Sequence, residues 1–282
     1  MYKIIRNEKV AKDTQLLEIE APAVAKKIMP GNFVMLRIRE GGERIPLSVA
    51  DFDRDKGRVT IVFKPVGKTT GELSRMKAGE SIMNFVGPLG NHTEIEKFGT
   101  VACIGGGVGI APVYPIAREM RKAGNHVICI IGARSKDMLV FEEEIKSVSD
   151  ELYVAIDDGS YGQKGFVSDV LQKLLDDGKK IDRVIAIGPP IMMKIVSDVT
   201  KRRGIKTMVS LNTIMVDGTG MCGCCRVTVD GKVRFACVDG PEFDASFVDF
   251  DNLMLRNNRF LEEEKKAVKS RGDVCGCEKQ KT

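Results

Sequence analysis

The chain has 282 residues, 43% of them hydrophobic and 29% charged, with a formal net charge of +5. That length accommodates two or three small domains, each with its own core, in a globular rather than a disordered protein. No apolar run reaches the roughly 18 residues that a membrane span needs. The charged start MYKIIRNEKVAKDT lacks the apolar core of a signal peptide, and basic residues are interleaved with acidic ones. A cytoplasmic protein without membrane or nucleic-acid partners is therefore expected.

Residues 1–97 carry apolar residues at period two in TQLLEIEAP, NFVMLRIRE, RVTIVFKPV and SIMNFVGPLG, broken by turns and by one helical stretch, TTGELSRM. This predicts a small antiparallel β barrel. In RIPLS, Arg44, Pro46 and Ser48 fall on one strand face, with Leu47 between them. An arginine can neutralise a pyrophosphate, and a serine hydroxyl can bond a flavin ring edge. An edge strand with an incidental charge is the plainer alternative. Val62, Phe63 and Lys64 end the next strand and join the same candidate site. Gly67, Thr69 and Thr70 open the helix, where free N–H groups suit a phosphate. Together they point to a flavin nucleotide.

From about Phe98 the pattern changes to TVACIGG, HVICIIGAR, ELYVAIDDG and RVIAIGPP as strands. APVYPIAREMRKAG, VSDVLQKLLDDG and IMMKIVSDVTKRRG read as helices. Strands alternating with helices over 98–210 predict a doubly wound parallel α/β sheet, with KTMVSLNTIM as its last strand and the bridge onward. Cys103 and Cys129 sit in apolar runs and are expected to be buried. GGGVGIAP, with Gly105, Gly106, Gly107, Val108 and Gly109, joins a strand to a helix. It lacks the usual GxGxxG spacing, and glycines serving only strand–helix packing are the alternative. Ala133 and Arg134, then Asp157, Asp158 and Gly159, then Gly188, Pro189 and Pro190 fall at further strand ends, where ligands of such sheets bind. Arg134 would hold a 2′-phosphate that Asp157 and Asp158 would repel, so NAD against NADP stays open.

Residues 211–260 are rich in Gly and Cys around a hairpin turning at Asp230-Gly231. Without an export signal, the crowding of Cys222, Cys224, Cys225 and Cys237 points to a metal rather than to disulfides. A plant-type 2Fe–2S loop reads C-x4-C-x2-C with a distant fourth cysteine. Here Asp217, Cys222, Cys225 and Cys237 fill that spacing, with a carboxylate in the first place. Two alternatives stand beside this one: Cys224 as the fourth ligand, or a structural zinc on Cys222, Cys225 and Cys237. Adjacent cysteines point in different directions, which makes Cys224 the bystander. Residues 261–282 are expected to form a charged helix and a tail holding Cys275 and Cys277.

The motifs resemble the ferredoxin–NADP reductase superfamily: RIPLS its RxPxS flavin signature, GGGVGIAP its nicotinamide loop. With the cluster module, residues 1–260 resemble the electron-transfer subunit of dihydroorotate dehydrogenase. Two positions depart from that subunit: Asp217 replaces a cysteine, and Ile187 precedes Gly188-Pro189 where a cysteine is usual. The Asp and the extended C-terminal helix are similar to the small subunit of NADH-dependent reduced ferredoxin:NADP oxidoreductase, also called sulfide dehydrogenase beta subunit. This resemblance implies FAD, NAD(H) and a 2Fe–2S cluster. It also implies a heterodimer with a larger iron–sulfur flavoprotein subunit, ferredoxin reached through that complex, and electron bifurcation. No acid–base dyad is expected, because hydride transfer to a flavin needs none. From another class, a zinc- or nucleotide-binding regulator without turnover is the rival.

Overall fold

The computed structural model describes residues 1–274, with side chains as far as Val268. Cys275 and Cys277 lie outside the described residues. The barrel strands are β1 (Tyr2–Ala11), β2 (Thr14–Glu20), β3 (Phe33–Arg37), β4 (Ile45–Asp53), β5 (Arg58–Phe63), β6 (Ser81–Ile82) and β7 (Asn84–Leu89); the four period-two stretches supply β2, β3, β5 and β6–β7, while the charged start and the RIPLS segment supply β1 and β4. Two short helices, α1 (Pro22–Ala25) and α2 (Lys68–Leu73), interrupt them. The strand order is β6-β1-β2-β5-β4-β3-β7, with antiparallel neighbours. Met83, between β6 and β7, donates its N–H to the carbonyls of Arg37 and Ile38 at 3.1 and 2.9 Å. The two sheet edges thus meet in the near-closed barrel that the alternation predicts. Ile4, Leu17, Ile61, Phe63 and Phe85 fill its core, each such side chain contributing about 1.5–3 kcal/mol by leaving water.

The second sheet is built from β8 (Thr100–Gly106), β9 (His126–Ala133), β10 (Glu151–Ile156), β11 (Gln163–Lys164), β12 (Arg183–Ile187) and β13 (Lys206–Ser210). Its helices are α3 (Ile110–Lys122), α4 (Glu142–Val148), α5 (Val167–Asp176) and α6 (Pro190–Lys201). The six strands are parallel in the order β11-β10-β9-β8-β12-β13. Successive side chains alternate between faces. Val101 and Cys103 pack under α3 and α4, while Ala102 and Ile104 pack under α5 and α6. Cys103 and Cys129 are fully buried, as expected. α4 carries little apolar pattern in the sequence, since its acid-rich EEEIKSV buries only Ile145 and Val148.

The third module holds β14 (Arg226–Val229), β15 (Lys232–Phe235), β16 (Glu242–Asp244), α7 (Phe250–Asn257) and α8 (Leu261–Val274). Asp230 and Gly231 turn the hairpin at φ 52° and 67°, the left-handed pair that a tight two-residue turn requires. The parallel sheet does not end on β13. β16 pairs antiparallel with it, Val209 opposite Phe243, so the cluster module supplies the seventh strand of the nucleotide sheet. The expected charged C-terminal helix is α8, and α7 precedes it. Among the described residues no helix is long and apolar enough to cross a membrane.

The modules are packed together. Ala111, at the start of α3, is buried with Leu16, Ala50 and Val62 of the barrel. Arg118 of α3 reaches Asp51 of β4 at 2.8 Å. The segment after β7 binds the third module: Asn91 donates its N–H to the Gly240 carbonyl at 2.6 Å, and the Thr93 hydroxyl donates to Glu242. Burial pushes the Glu242 carboxyl up from 4.5 to about 7, against the bond from Thr93 and the charges of Arg183 and His92. A carboxyl whose folded value is raised stabilises the fold below its unfolded value, and this is lost as pH rises through the folded value. Glu242→Gln should therefore abolish the decline in thermal stability between pH 4.5 and 7 and leave the variant more stable than wild type at pH 8. Tm measured across that range checks it.

Candidate functional site

The strands β8, β9, β10 and β12 all end on one edge of the parallel sheet. They deliver Gly105–Gly109, Ala133–Arg134, Asp157–Gly159 and Gly188–Pro190 to it. The glycines of the first loop divide by what surrounds them. A Cβ on Gly105 would meet the Ile110 backbone at 2.7 Å, and one on Gly109 the Ile187 carbonyl oxygen at 2.4 Å. One on Gly106 would strike Met192 and Pro189. These three let strand and helix close on each other. Gly107 differs: its φ is +57° and nothing lies within 4 Å of its Cβ position. It is the open position of the loop, just before an α3 start that no side chain caps. Free N–H groups beside an open glycine fit a dinucleotide pyrophosphate.

Across the edge, Asp157 and Asp158 donate their N–H groups to the carbonyls of Ala133 and Arg134 at 3.1 and 3.2 Å. Burial raises the Asp157 carboxyl, with Arg134 opposing and Asp158 assisting. The N–H of Lys136 reaches the Ser160 hydroxyl at 3.0 Å, which ties the two loops together. Phe166, absent from the sequence reading, stands 59% exposed just before α5. A surface aromatic on this edge suits stacking against an adenine. Its signal in the sequence is an apolar ring directly after the DDGSYGQKG loop.

On the barrel, Arg44 lies just before β4 and is exposed, as is Ser48; Pro46 and Leu47 are half-buried. An exposed cation and hydroxyl on one strand face fit an anionic flavin nucleotide. Val62 and Phe63 are 4% and 2% exposed, their side chains turned into the interface and the barrel core. Only their main chain remains for a ligand. Lys64 is held by Asp13 at 2.8 Å. At the start of α2 the Thr70 hydroxyl accepts the Gly67 N–H at 2.9 Å, and the Thr69 hydroxyl donates to Glu43. Both threonines are therefore already engaged.

The cluster loop wraps through Gly218, Gly220 and Gly223, all at positive φ. Gly218 lies against Met35 and Leu89 of the barrel, where a Cβ would come within 2.6 Å of the Met35 side chain. Asp217 uses one oxygen, Oδ2, to accept from the N–H groups of Thr219 and Met221 at 2.9 and 3.3 Å and from the Thr219 hydroxyl. Those bonds from Thr219 and Met221, and the more distant charge of Arg44, hold its carboxyl below the usual range. Cys225 and Cys237 are buried with their sulfurs 3.2 Å apart. Burial and the Cys225 thiol push Cys237 up to about 12. Main-chain N–H groups, first that of Cys224, lower the Cys222 thiol, and the neighbouring Cys222 raises the Cys224 thiol. The residues therefore assemble as two thiol pairs beside a carboxylate, and among the described residues no three such side chains converge on one metal position. The donor set still fits an iron–sulfur cluster: thiols in a glycine-bent loop with N–H groups aimed at sulfur.

Three family models match in succession. An oxidoreductase FAD-binding domain covers residues 1–93, an oxidoreductase NAD-binding domain covers 103–198, and the iron–sulfur cluster binding domain of dihydroorotate dehydrogenase B covers 212–249. A Thermotoga maritima homolog of the dihydroorotate dehydrogenase B (NAD(+)) electron transfer subunit is 50% identical over 94% of this chain and 93% of its own. The Fusobacterium nucleatum electron transfer subunit of that enzyme is 35% identical over 87% of this chain and 96% of its own. Among solved structures, a chain from an NADH-dependent reduced ferredoxin-NADP oxidoreductase, studied for flavin-based electron bifurcation, matches with TM-score 0.91. It is 48% identical, over 96% of this chain and 97% of that one.

Fold, edge loops and cysteine module together define the class: a ferredoxin-reductase-type oxidoreductase chain for FAD, NAD(H) and an iron–sulfur cluster. The chain belongs to the family of dihydroorotate dehydrogenase B electron-transfer subunits and their homologues.

The two kinds of glycine separate experimentally. Gly109→Ala should lower stability sharply, because the Ile187 backbone cannot yield. Gly107→Ala should fold, losing only the roughly 1–2 kcal/mol of a left-handed alanine, yet bind NADH about tenfold more weakly, near 1.4 kcal/mol. Urea unfolding and NADH titration of both variants check this.

Proposed function

We propose that this chain is the NADH-oxidising electron-transfer subunit of a flavin-based, electron-bifurcating oxidoreductase. Its FAD and a 2Fe–2S cluster would exchange electrons with a larger iron–sulfur flavoprotein subunit, and through it with ferredoxin. The observation that carries this is the end-to-end match at TM-score 0.91 to a chain of such an enzyme. The free cysteines suit a cytoplasmic, reducing setting.

Each side chain then has a task. Gly107 and the first N–H groups of α3 receive the NADH pyrophosphate. Asp157 and Asp158 accept the ribose hydroxyls, and Phe166 stacks on the adenine. Arg44 neutralises the FAD pyrophosphate, while Ser48 donates to the flavin ring edge. Asp217, Cys222, Cys225 and Cys237 would hold the iron, with one carboxylate and three thiolates as donors. Bound flavin supplies the change from hydride to single-electron transfer. The protein contributes position and charge, and no proton donor is required.

A second reading follows from the curated relatives' names: the electron-transfer subunit of a dihydroorotate dehydrogenase. The two differ in partner, so purification of the native complex and identification of its large subunit separates them.

Two further outcomes are expected. NADH should reduce the bound flavin faster than NADPH in stopped-flow bleaching; the opposite order would make Arg134 the specificity residue. Asp217→Cys should keep a 2Fe–2S cluster with a plant-type absorption spectrum and a shifted midpoint potential, whereas Cys224→Ser should change neither. Loss of the cluster in Cys224→Ser together with its survival in Asp217→Ala would mean that cysteines alone hold the iron.

A further inference from the structure

Phe141 has no place in the sites above, yet its backbone is the most unusual among them. It sits at φ 59°, ψ 25°, just before α4. Apart from Asp230 in the hairpin turn, it is the only non-glycine at positive φ among the described residues. A bulky side chain adopts that conformation at a cost, so surrounding contacts must hold it there. The Phe141 ring meets Tyr114 of α3 edge-on, centroids 6.0 Å apart at 68°. It also packs against the buried cluster of Leu16, Ala50, Val62 and Ala111, where barrel and nucleotide sheet join.

The placement links the two candidate cofactor sites. Val62 lies on the strand that carries Phe63 and Lys64. Ala111 lies two residues after the Gly107–Gly109 turn. The segment that Phe141 terminates begins at Arg134 on the nucleotide edge and runs back over the barrel. On the way, the Lys12 N–H at the tip of the β1–β2 hairpin donates to the Asp137 carbonyl at 2.8 Å, and the Lys12 ammonium reaches the Asp137 carboxylate at 3.2 Å. Both side chains of that ion pair are more than half exposed, so it alone would hold little. The half-buried Phe141 ring, packed against the buried cluster, is the stronger anchor. Beyond Phe141, Glu142 accepts from the Tyr161 hydroxyl at 2.7 Å and so ties the same segment to the Asp157 loop.

We propose that Phe141 is a positioning residue for hydride transfer. Its left-handed backbone and wedged ring hold the nucleotide loop 134–140 against the flavin barrel and set the approach of one cofactor site to the other. It touches neither cofactor. This rests on the functional reading above, and the experiment keeps the two apart.

The full chain with its bound flavin is compared as wild type, Phe141→Ala, Phe141→Gly and Phe141→Tyr. Two quantities are read: the limiting rate of flavin bleaching at saturating NADH against the NADH Kd, and amide exchange at Lys12 and across 135–140. Phe141→Ala should lower the limiting rate roughly 10- to 100-fold, the scale of an ångström's misplacement, with Kd changed less than about threefold. Exchange at Lys12 should quicken. Phe141→Tyr should restore both. Phe141→Gly relieves the backbone but lacks the ring, so it should fold well and still be slow; it also serves if the alanine variant does not fold. A wild-type limiting rate in the glycine or alanine variant, or unchanged exchange at Lys12, overturns the proposal. A wild-type flavin that neither NADH nor NADPH bleaches overturns the functional reading instead, and exchange still decides whether Phe141 anchors the loop.

Discussion

The buried contact of Ala111 with Leu16, Ala50 and Val62 is the constraint on which the rest of this structure depends. It presses the start of α3 onto the barrel at the point where an uncapped helix terminus follows the open Gly107. A methyl group is the right size there, because a larger side chain would push the nucleotide edge away from the flavin strands. The Arg118–Asp51 ion pair, with Arg118 also over the rings of Phe52 and Tyr114 at 5.4 and 5.2 Å, guards the same seam further along α3. Arg118 is only about one-fifth exposed, so its pairing is screened less than a surface salt bridge would be.

The third module is attached by different means. It donates β16 to the nucleotide sheet and accepts main-chain and side-chain bonds from Asn91 and Thr93. Gly218 meanwhile brings the cluster loop against Met35 and Leu89 of the barrel. The cysteine loop is therefore held between both larger bodies rather than hung from one.

Asp217 shapes the cluster loop through one of its carboxylate oxygens. Its Oδ2 closes the turn through Thr219 and Met221, a task that a thiol, with its weak acceptor sulfur, would do poorly. The carboxylate that departs from the four-cysteine pattern is thus also a loop-shaping residue.

Much of this was legible in the chain itself. Period-two alternation gave the barrel strands, and buried runs alternating with amphipathic helices gave the parallel sheet, because burial on one or two faces is a local property of each strand. The Asp-Gly hairpin turn and the cysteine spacing are local as well. What lay beyond the sequence depended on who packs against whom. β16 reads as three ordinary residues until β13 offers it an edge. Val62 and Phe63 share a strand end with Lys64, yet only the packed structure shows that Val62 is turned into the interface with the nucleotide sheet and Phe63 into the barrel core. The four glycines of GGGVG look alike in sequence; Ile110, Ile187 and Met192 single out Gly107 by crowding the other three. The sequence determined the elements and the chemistry available at their ends. The tertiary structure decided which groups stay open to a ligand, because that depends on neighbours distant in the chain.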